Sequence, residues 1–158
     1  GQILTYNGEP ILASYHKISA GQTRNGSEVF HSDQYPYLSS KACPGDKDAP
    51  DYRQSIQIDD SWQDMEIEEK DSAGYVLRLK LGDDEMSGEE FRIKLGLPSA
   101  AFRVEKNGGG IFVITSGSGH GLGMSQYTAQ QLAGTGTGYQ EILAYFFDKT
   151  RLEHISDR

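Results

Sequence analysis

Between residues 111 and 133 the chain passes from a run suited to a buried strand to one suited to a helix, through seven residues of which four are glycine. Ile111-Phe112-Val113-Ile114 is β-branched and aromatic and is flanked by glycines, which predicts a buried strand. Ser125 to Ala133 holds neither Pro nor Gly, and Met124, Tyr127 and Leu132 can share one apolar helical face. The segment from Gly117 to Gly123 must therefore reverse the chain between strand and helix. Its glycines permit a sharp turn and a close backbone approach to a ligand. The helix start leaves free N–H groups beside it. His120, Ser125 and Gln126 gather at this mouth: one group that titrates near neutral pH and two that hydrogen-bond polar ligands. Two readings stand side by side, a site for a polar ligand and an ordinary strand-to-helix turn with a satisfied loop histidine. The spacing matches neither phosphate loop, since the Lys-Ser/Thr ending and the dinucleotide glycine order are both missing, and this argues against a nucleotide.

The rest of the chain supplies strands for this turn to join. Gln2 to Tyr6 and Ile11 to His16 flank Asn7-Gly8, a strong hairpin signal. Lys17 to Glu28 is polar and reads as a loop, with His16 at the strand-to-loop junction as either a strand-end residue or part of the site. Phe30 to Pro50 is a long irregular segment in which Tyr35 is extended before Pro36 and Cys43-Pro44-Gly45-Asp46 turns. Asp51 to Lys70 is compatible with strands, with Trp62 packed beneath the loop. Tyr75 to Leu81 alternates cleanly as a strand, and Glu90 to Leu95 is amphipathic with Gly96 and Pro98 as stop signals. Phe102 to Glu105 is a further strand joined by residues 107–110 to Ile111. After the break at 134–138, a last helix runs from Tyr139 to Asp148 with Ile142, Leu143, Phe146 and Phe147 buried. The expected fold class is α+β, mostly antiparallel strands with two helices near the C-terminus, in a single domain over residues 1–158.

Charge and residue types narrow the chemistry. A net charge of −8 opposes nucleic acid and anionic membrane surfaces as partners. Metal ligands would have to come from His16, His31, His120, His154 and Cys43, and none falls in a zinc-binding spacing, so no metal is expected. Cys43 as a nucleophile would need a base that only the fold could supply. No Gly-x-Ser-x-Gly elbow surrounds Ser118 or Ser125. Glu66, Glu68, Glu69, Asp83, Asp84, Glu89 and Glu90 lie in charge-rich runs, and Glu141 lies in the last helix. None stands in an apolar context that would make it a catalytic acid.

Several segments, in order along nearly the whole chain, carry a resemblance. Residues Tyr15 to Thr23 resemble a His-Ser-x-Ser-Gly-Gly-x-Thr segment. Tyr35-Pro36-Tyr37-Leu38 and Cys43-Pro44-Gly45-Asp46 resemble Pro-Tyr-Leu and Ser-Pro-x-Asp pieces. Ser87 to Arg92, then Leu95 to Ser99 with Phe102, resemble Ser-Gly-x-x-Phe-Arg and Leu-Gly-Leu-x-Ser. Gly119 to Tyr127, followed by Tyr139 to Phe146, resembles a C-terminal signature. Together they are similar to the stage II sporulation protein D family, which includes the amidase-enhancer proteins of bacterial cell walls.

The resemblance implies a lytic transglycosylase that cleaves peptide-stripped glycan strands of peptidoglycan during sporulation. It implies an extracytoplasmic protein, in the wall or membrane-anchored, with a cell-wall amidase as partner and no cofactor. In that chemistry a carboxyl protonates the bridging oxygen, and the sugar's 6-hydroxyl closes an anhydro ring. His120, Gly121, Gly123, Ser125, Gln126 and Tyr127, with His16 and Ser19, are the implied substrate-binding residues. The family's catalytic glutamate sits on an alanine-rich helix ahead of the hairpin. Nothing here matches that helix, so the acid is expected on a segment preceding Gln2 and no catalytic residue is assigned within the chain. Ala20 and Thr128 replace glycines of the family pattern, and Cys43 replaces a serine. A glycan-binding or amidase-stimulating module without cleavage is the alternative reading; a metal-dependent hydrolase using the histidines with Cys43 is a third.

Overall fold

A computed structural model describes residues 1–155, so the last three residues of the expected domain 1–158 lie outside the described residues. The chain opens with β1 (Gln2–Tyr6), which Asn7 and Gly8, at φ 52° and 81°, turn into the short β2 (Glu9–Pro10). β3 (Tyr15–His16) and a one-turn helix α1 (Gly26–Phe30) follow, then a 3-10 turn over Pro44–Asp48. β4 (Arg53–Ile58), β5 (Met65–Lys70), β6 (Val76–Leu81) and β7 (Asp84–Ser87) lead into α2 (Gly88–Leu95). β8 (Phe102–Asn107) and β9 (Gly110–Ser116) precede the glycine turn. Beyond it lie β10 (Met124–Ser125), α3 (Gln126–Gly134), α4 (Tyr139–Phe146) and β11 (Arg151–His154).

Two antiparallel three-stranded sheets, ordered β4-β9-β8 and β5-β6-β7, enclose the first core with α2. Leu79, Phe91 and Val113 are fully buried there, each contributing roughly 1.5–3 kcal/mol through burial. α2 is held by a capping box: Ser87 Oγ accepts from Glu90 N–H, and the Glu90 carboxylate accepts from Ser87 N–H. Gly88 must lack a side chain because a Cβ would sit 2.0 Å from the Val76 carbonyl oxygen. Trp62 stacks edge-on against Phe91 at 4.9 Å, which makes it a core residue. The second core gathers Leu38, Cys43, Leu122, Ile142, Phe146 and Phe147 under α4, with Leu4 and Tyr6 of β1 against it. The α+β class, the antiparallel sheets and the two C-terminal helices stand as the sequence predicts, with α1 and α2 in addition.

Two expectations are corrected. Ile11 to His16 does not form a strand along β1. Pro10 has no N–H to extend the ladder, and beyond it only Ile11 N–H returns to Leu4 O at 3.1 Å. Tyr15 and His16 instead pair in parallel with Met124 and Ser125. The last helix also stops at Phe146 rather than Asp148. Phe147 is extended and buried, and Lys149 at φ 59° redirects the chain into β11, which pairs antiparallel with β1.

Candidate functional site

The four glycines between Gly117 and Gly123 all have positive φ, from 71° to 106°. What each one faces is the protein's own chain. A Cβ at Gly117 would lie 2.7 Å from Ile18 O, at Gly119 2.7 Å from His16 Cβ, and at Gly121 2.5 Å from Tyr75 Cζ. At Gly123 it would lie 2.0 Å from Ser14 O. Ladder contacts follow the same course: Ile18 opposite Ser118, Arg24 opposite Leu122, and β3 beside β10. The close backbone approach predicted from the glycines is made to residues 14–24 and Tyr75, and it draws His16 against His120.

Leu122 sets the protonation pattern of both rings. Its carbonyl accepts from His16 Nδ1 at 3.0 Å, and its N–H donates to His120 Nδ1 at 3.0 Å. A carbonyl needs a donor and an N–H needs an acceptor, so neutral His16 carries its proton on Nδ1 and neutral His120 on Nε2. The rings meet edge to face with centroids 5.8 Å apart. His16 is buried, and its Nε2 is a bare acceptor with no partner among the described residues. Burial pushes its pKa down to about 4, against the pull of the Leu122 carbonyl and with help from His120. His120 is half-buried, and desolvation lowers its pKa too, with Glu89 opposing.

Asp46, wholly buried, ties three elements together. Its Oδ2 accepts from Ser19 N–H at 2.6 Å and from Ser125 Oγ–H at 2.7 Å, and its Oδ1 accepts from Thr128 Oγ1–H at 2.6 Å. Ser125 also accepts from Thr128 N–H at 3.3 Å, which makes it the N-cap of α3. The polar groups of Ser19 and Ser125 are thus spent within the protein: Ser19 Oγ accepts from Gly21 N–H. Gly121 and Gly123 are buried, Tyr127 is half-buried with its N–H on Lys17 O, and Gln126 is exposed at the head of α3.

A groove of about 680 Å³ opens on the other side of His120, between the turn, α1, β6 and the start of α2. Of the eight residues predicted to bind substrate, His120 lines it. The groove also takes in Arg24, His31, Ser87 and Glu89, none of them among those eight. Arg24 is 5% exposed, its Nε 2.5 Å from Asp71 Oδ2, its Nη1 donating to His120 O at 3.2 Å, and its guanidinium 4.7 Å over the Tyr75 ring. Asp71 spends its other oxygen on the N–H groups of Ala73 and Tyr75. Arg24, Asp46 and Asp71 are the structural centres that sequence reasoning missed. Only Asp46 lay within a quoted motif, as the end of the Ser-Pro-x-Asp-like piece.

The remaining candidates are scattered. Cys43 is fully buried in the second core, and desolvation raises its thiol pKa, the opposite of what an activated nucleophile needs. His154 is exposed on β11 beside Gln2. Among the described residues, no three His, Cys, Asp or Glu side chains are grouped to hold a metal ion. No helix among them is long and apolar enough to cross a membrane.

No protein-family model matches the chain. It is 34% identical to stage II sporulation protein D of Bacillus subtilis (strain 168), in an alignment covering 96% of this chain and 48% of that protein. It is equally 34% identical to stage II sporulation protein D of Bacillus amyloliquefaciens, covering 93% of this chain and 46% of the relative. An uncharacterized protein of Brachyspira hyodysenteriae is 26% identical over 93% of this chain and 44% of its own length. The chain spans about half the length of the relatives it matches.

Proposed function

The chain belongs to the stage II sporulation protein D family, and from that premise we propose that it is the glycan-holding part of a sporulation protein that cleaves peptide-stripped peptidoglycan strands. The observation that carries this reading is the open groove beside His120. Its lining mixes apolar side chains such as Val29, Val76 and Met86 with the charged and polar groups of Arg24, Ser87 and Glu89, and it is bordered by the His120 imidazole, which Leu122 N–H holds through Nδ1. A lytic transglycosylase needs such a trench to orient the N-acetyl and hydroxyl groups while a carboxyl protonates the bridging oxygen. In this proposal the protein works outside the cytoplasm, on strands that a cell-wall amidase has stripped.

The groove's own carboxylates favour a division of labour. Glu69 and Glu85 face Arg78 at 3.4 and 3.6 Å, Glu89 pairs with Arg92, and Glu90 caps α2. The first three are thus engaged by cations of the protein, and the Ser87 hydrogen bonds of the cap lower the Glu90 carboxyl pKa, the wrong direction for a general acid. Holding and cleaving are therefore assigned to different segments of the full-length protein, and this chain taken alone is read as the binding module.

Digestion of peptide-stripped glycan by the full-length protein tests the reading. Release of anhydromuramyl ends is expected, with a tenfold or greater loss in kcat/KM on His120→Ala while the circular-dichroism melt stays within a few degrees. Absence of both glycan binding and cleavage by the wild type would overturn it.

A further inference from the structure

Arg24 makes a further interaction available that the fold leaves unused. A guanidinium offers five N–H donors in a planar fork. Here Nε is taken by Asp71, Nη1 reaches His120 O, and the face of the group lies over Tyr75. Nη2 has no hydrogen-bond partner among the described residues, yet it is not one of the atoms sealed from solvent. The side chain is 6% exposed, and that small opening is where Arg24 joins the lining of the groove.

Its setting is built rather than incidental. Asp71 is held by the N–H groups of Ala73 and Tyr75, so the carboxylate cannot follow Arg24 if the guanidinium shifts. The Tyr75 hydroxyl accepts from Ala20 N–H at 3.1 Å, which anchors the ring beneath the cation. Backbone pairing fixes Arg24 at its root, its N–H donating to Gly121 O at 2.8 Å. A guanidinium locked in one orientation has already lost the rotamer freedom that binding would cost, and its fork suits planar oxygen pairs. Neighbouring carboxylates do not occupy it: Glu69 and Glu85 face Arg78, and Glu89 faces Arg92.

We infer that Arg24 is a specificity determinant of the groove, presenting Nη2 to a carboxylate on the bound ligand. This rests on the glycan reading above and adds to it a chemical distinction. On a strand of alternating N-acetylglucosamine and N-acetylmuramic acid, the group that changes when a stem peptide is removed is the lactyl carboxyl. It is an amide when the peptide is attached and a free carboxylate when it is gone. A fixed guanidinium reads that difference directly, because a charged acceptor forms a markedly stronger hydrogen bond with it than an amide carbonyl does.

Titration calorimetry on the full-length protein with three tetrasaccharides tests this. The first alternates the two sugars with free lactyl carboxylates, the second carries them as methyl amides, and the third is chitotetraose, which has no lactyl group. The free-acid ligand is expected to bind at least tenfold more tightly than the other two. In Arg24→Gln/Asp71→Asn, which removes both buried charges together, that preference falls below twofold. Equal affinity of the wild type for all three ligands overturns the role of Arg24 and leaves the glycan reading intact. Binding of none of them overturns both. A folded double variant that keeps the tenfold preference also overturns it. Should the double variant fail to fold, the three-ligand comparison on the wild type decides alone.

Discussion

His16 is kept neutral by its burial, and that has a cost at low pH. In the unfolded chain its imidazole takes up a proton near pH 6.5, whereas in the folded protein it resists until about pH 4. Between those values the unfolded state binds more protons, so stability is full above pH 6.5, falls as the pH drops, and levels off below about pH 4. The loss attributable to His16 is on the order of 3 kcal/mol. His120, lowered by its own burial, adds in the same direction. Urea midpoints measured from pH 7 to pH 4 are expected to fall accordingly, and His16→Asn, whose amide can still donate to Leu122 O, should flatten the slope. An unchanged slope in that variant would assign the titration to other groups.

The glycine turn is the element on which the groove depends, and its four glycines differ in kind from those at exposed bends. Gly136, at φ 93°, has nothing within 4 Å of a Cβ, so Gly136→Ala meets only the left-handed backbone penalty of about 1–2 kcal/mol. Gly123→Ala meets that penalty and also a backbone carbonyl 2.0 Å away, for a loss of about 3–5 kcal/mol. Thermal melts of the two variants should separate clearly; equal losses would mean that β3 and β10 can part without consequence. α3, by contrast, begins as its sequence suggests. Ser125 caps it, although the same hydroxyl also donates to Asp46, 79 residues earlier.

Among the described residues the apolar side chains gather in three clusters: the two larger are joined through the turn, with Ile111 and Val113 in one and Leu122 in the other, and a small third holds Ala73, Tyr75, Ala100 and Ala101. β11 closes the second by pairing with β1 from Gln2 to Thr5, while the β4-β9-β8 sheet belongs to the first. Ending the chain at Thr150 removes that partner and leaves β1 only the two-residue pairing to β2. Hydrogen exchange should then show β1 amides losing protection while β9 amides keep theirs, since cooperative units open separately. Loss of protection in both at once would show that the cores unfold as one body.

How much of this was legible follows the range of each interaction. Alternation in Val76 to Leu81, the apolar run Ile111 to Ile114, the Asn7-Gly8 turn and the apolar face of α4 are local patterns, readable because strand and helix periodicity act over neighbouring residues. They determined the α+β class, the central strands β6 and β9 and the place of the turn, whereas β7 lies partly in residues 82–85, which read as a turn. The partners of that turn were decided by the tertiary structure. His16 reaches Leu122 across 106 residues, Arg24 reaches Asp71 across 47, and Asp46 gathers Ser19, Ser125 and Thr128 from either side of it. Buried polar groups must find partners wherever the fold places them, and no periodicity records which distant residue will supply the oxygen or the proton. Sequence located the glycines; only the packing of residues 14–24 beneath them decided that His120 and Arg24, rather than Ser125 and Ser19, border the open groove.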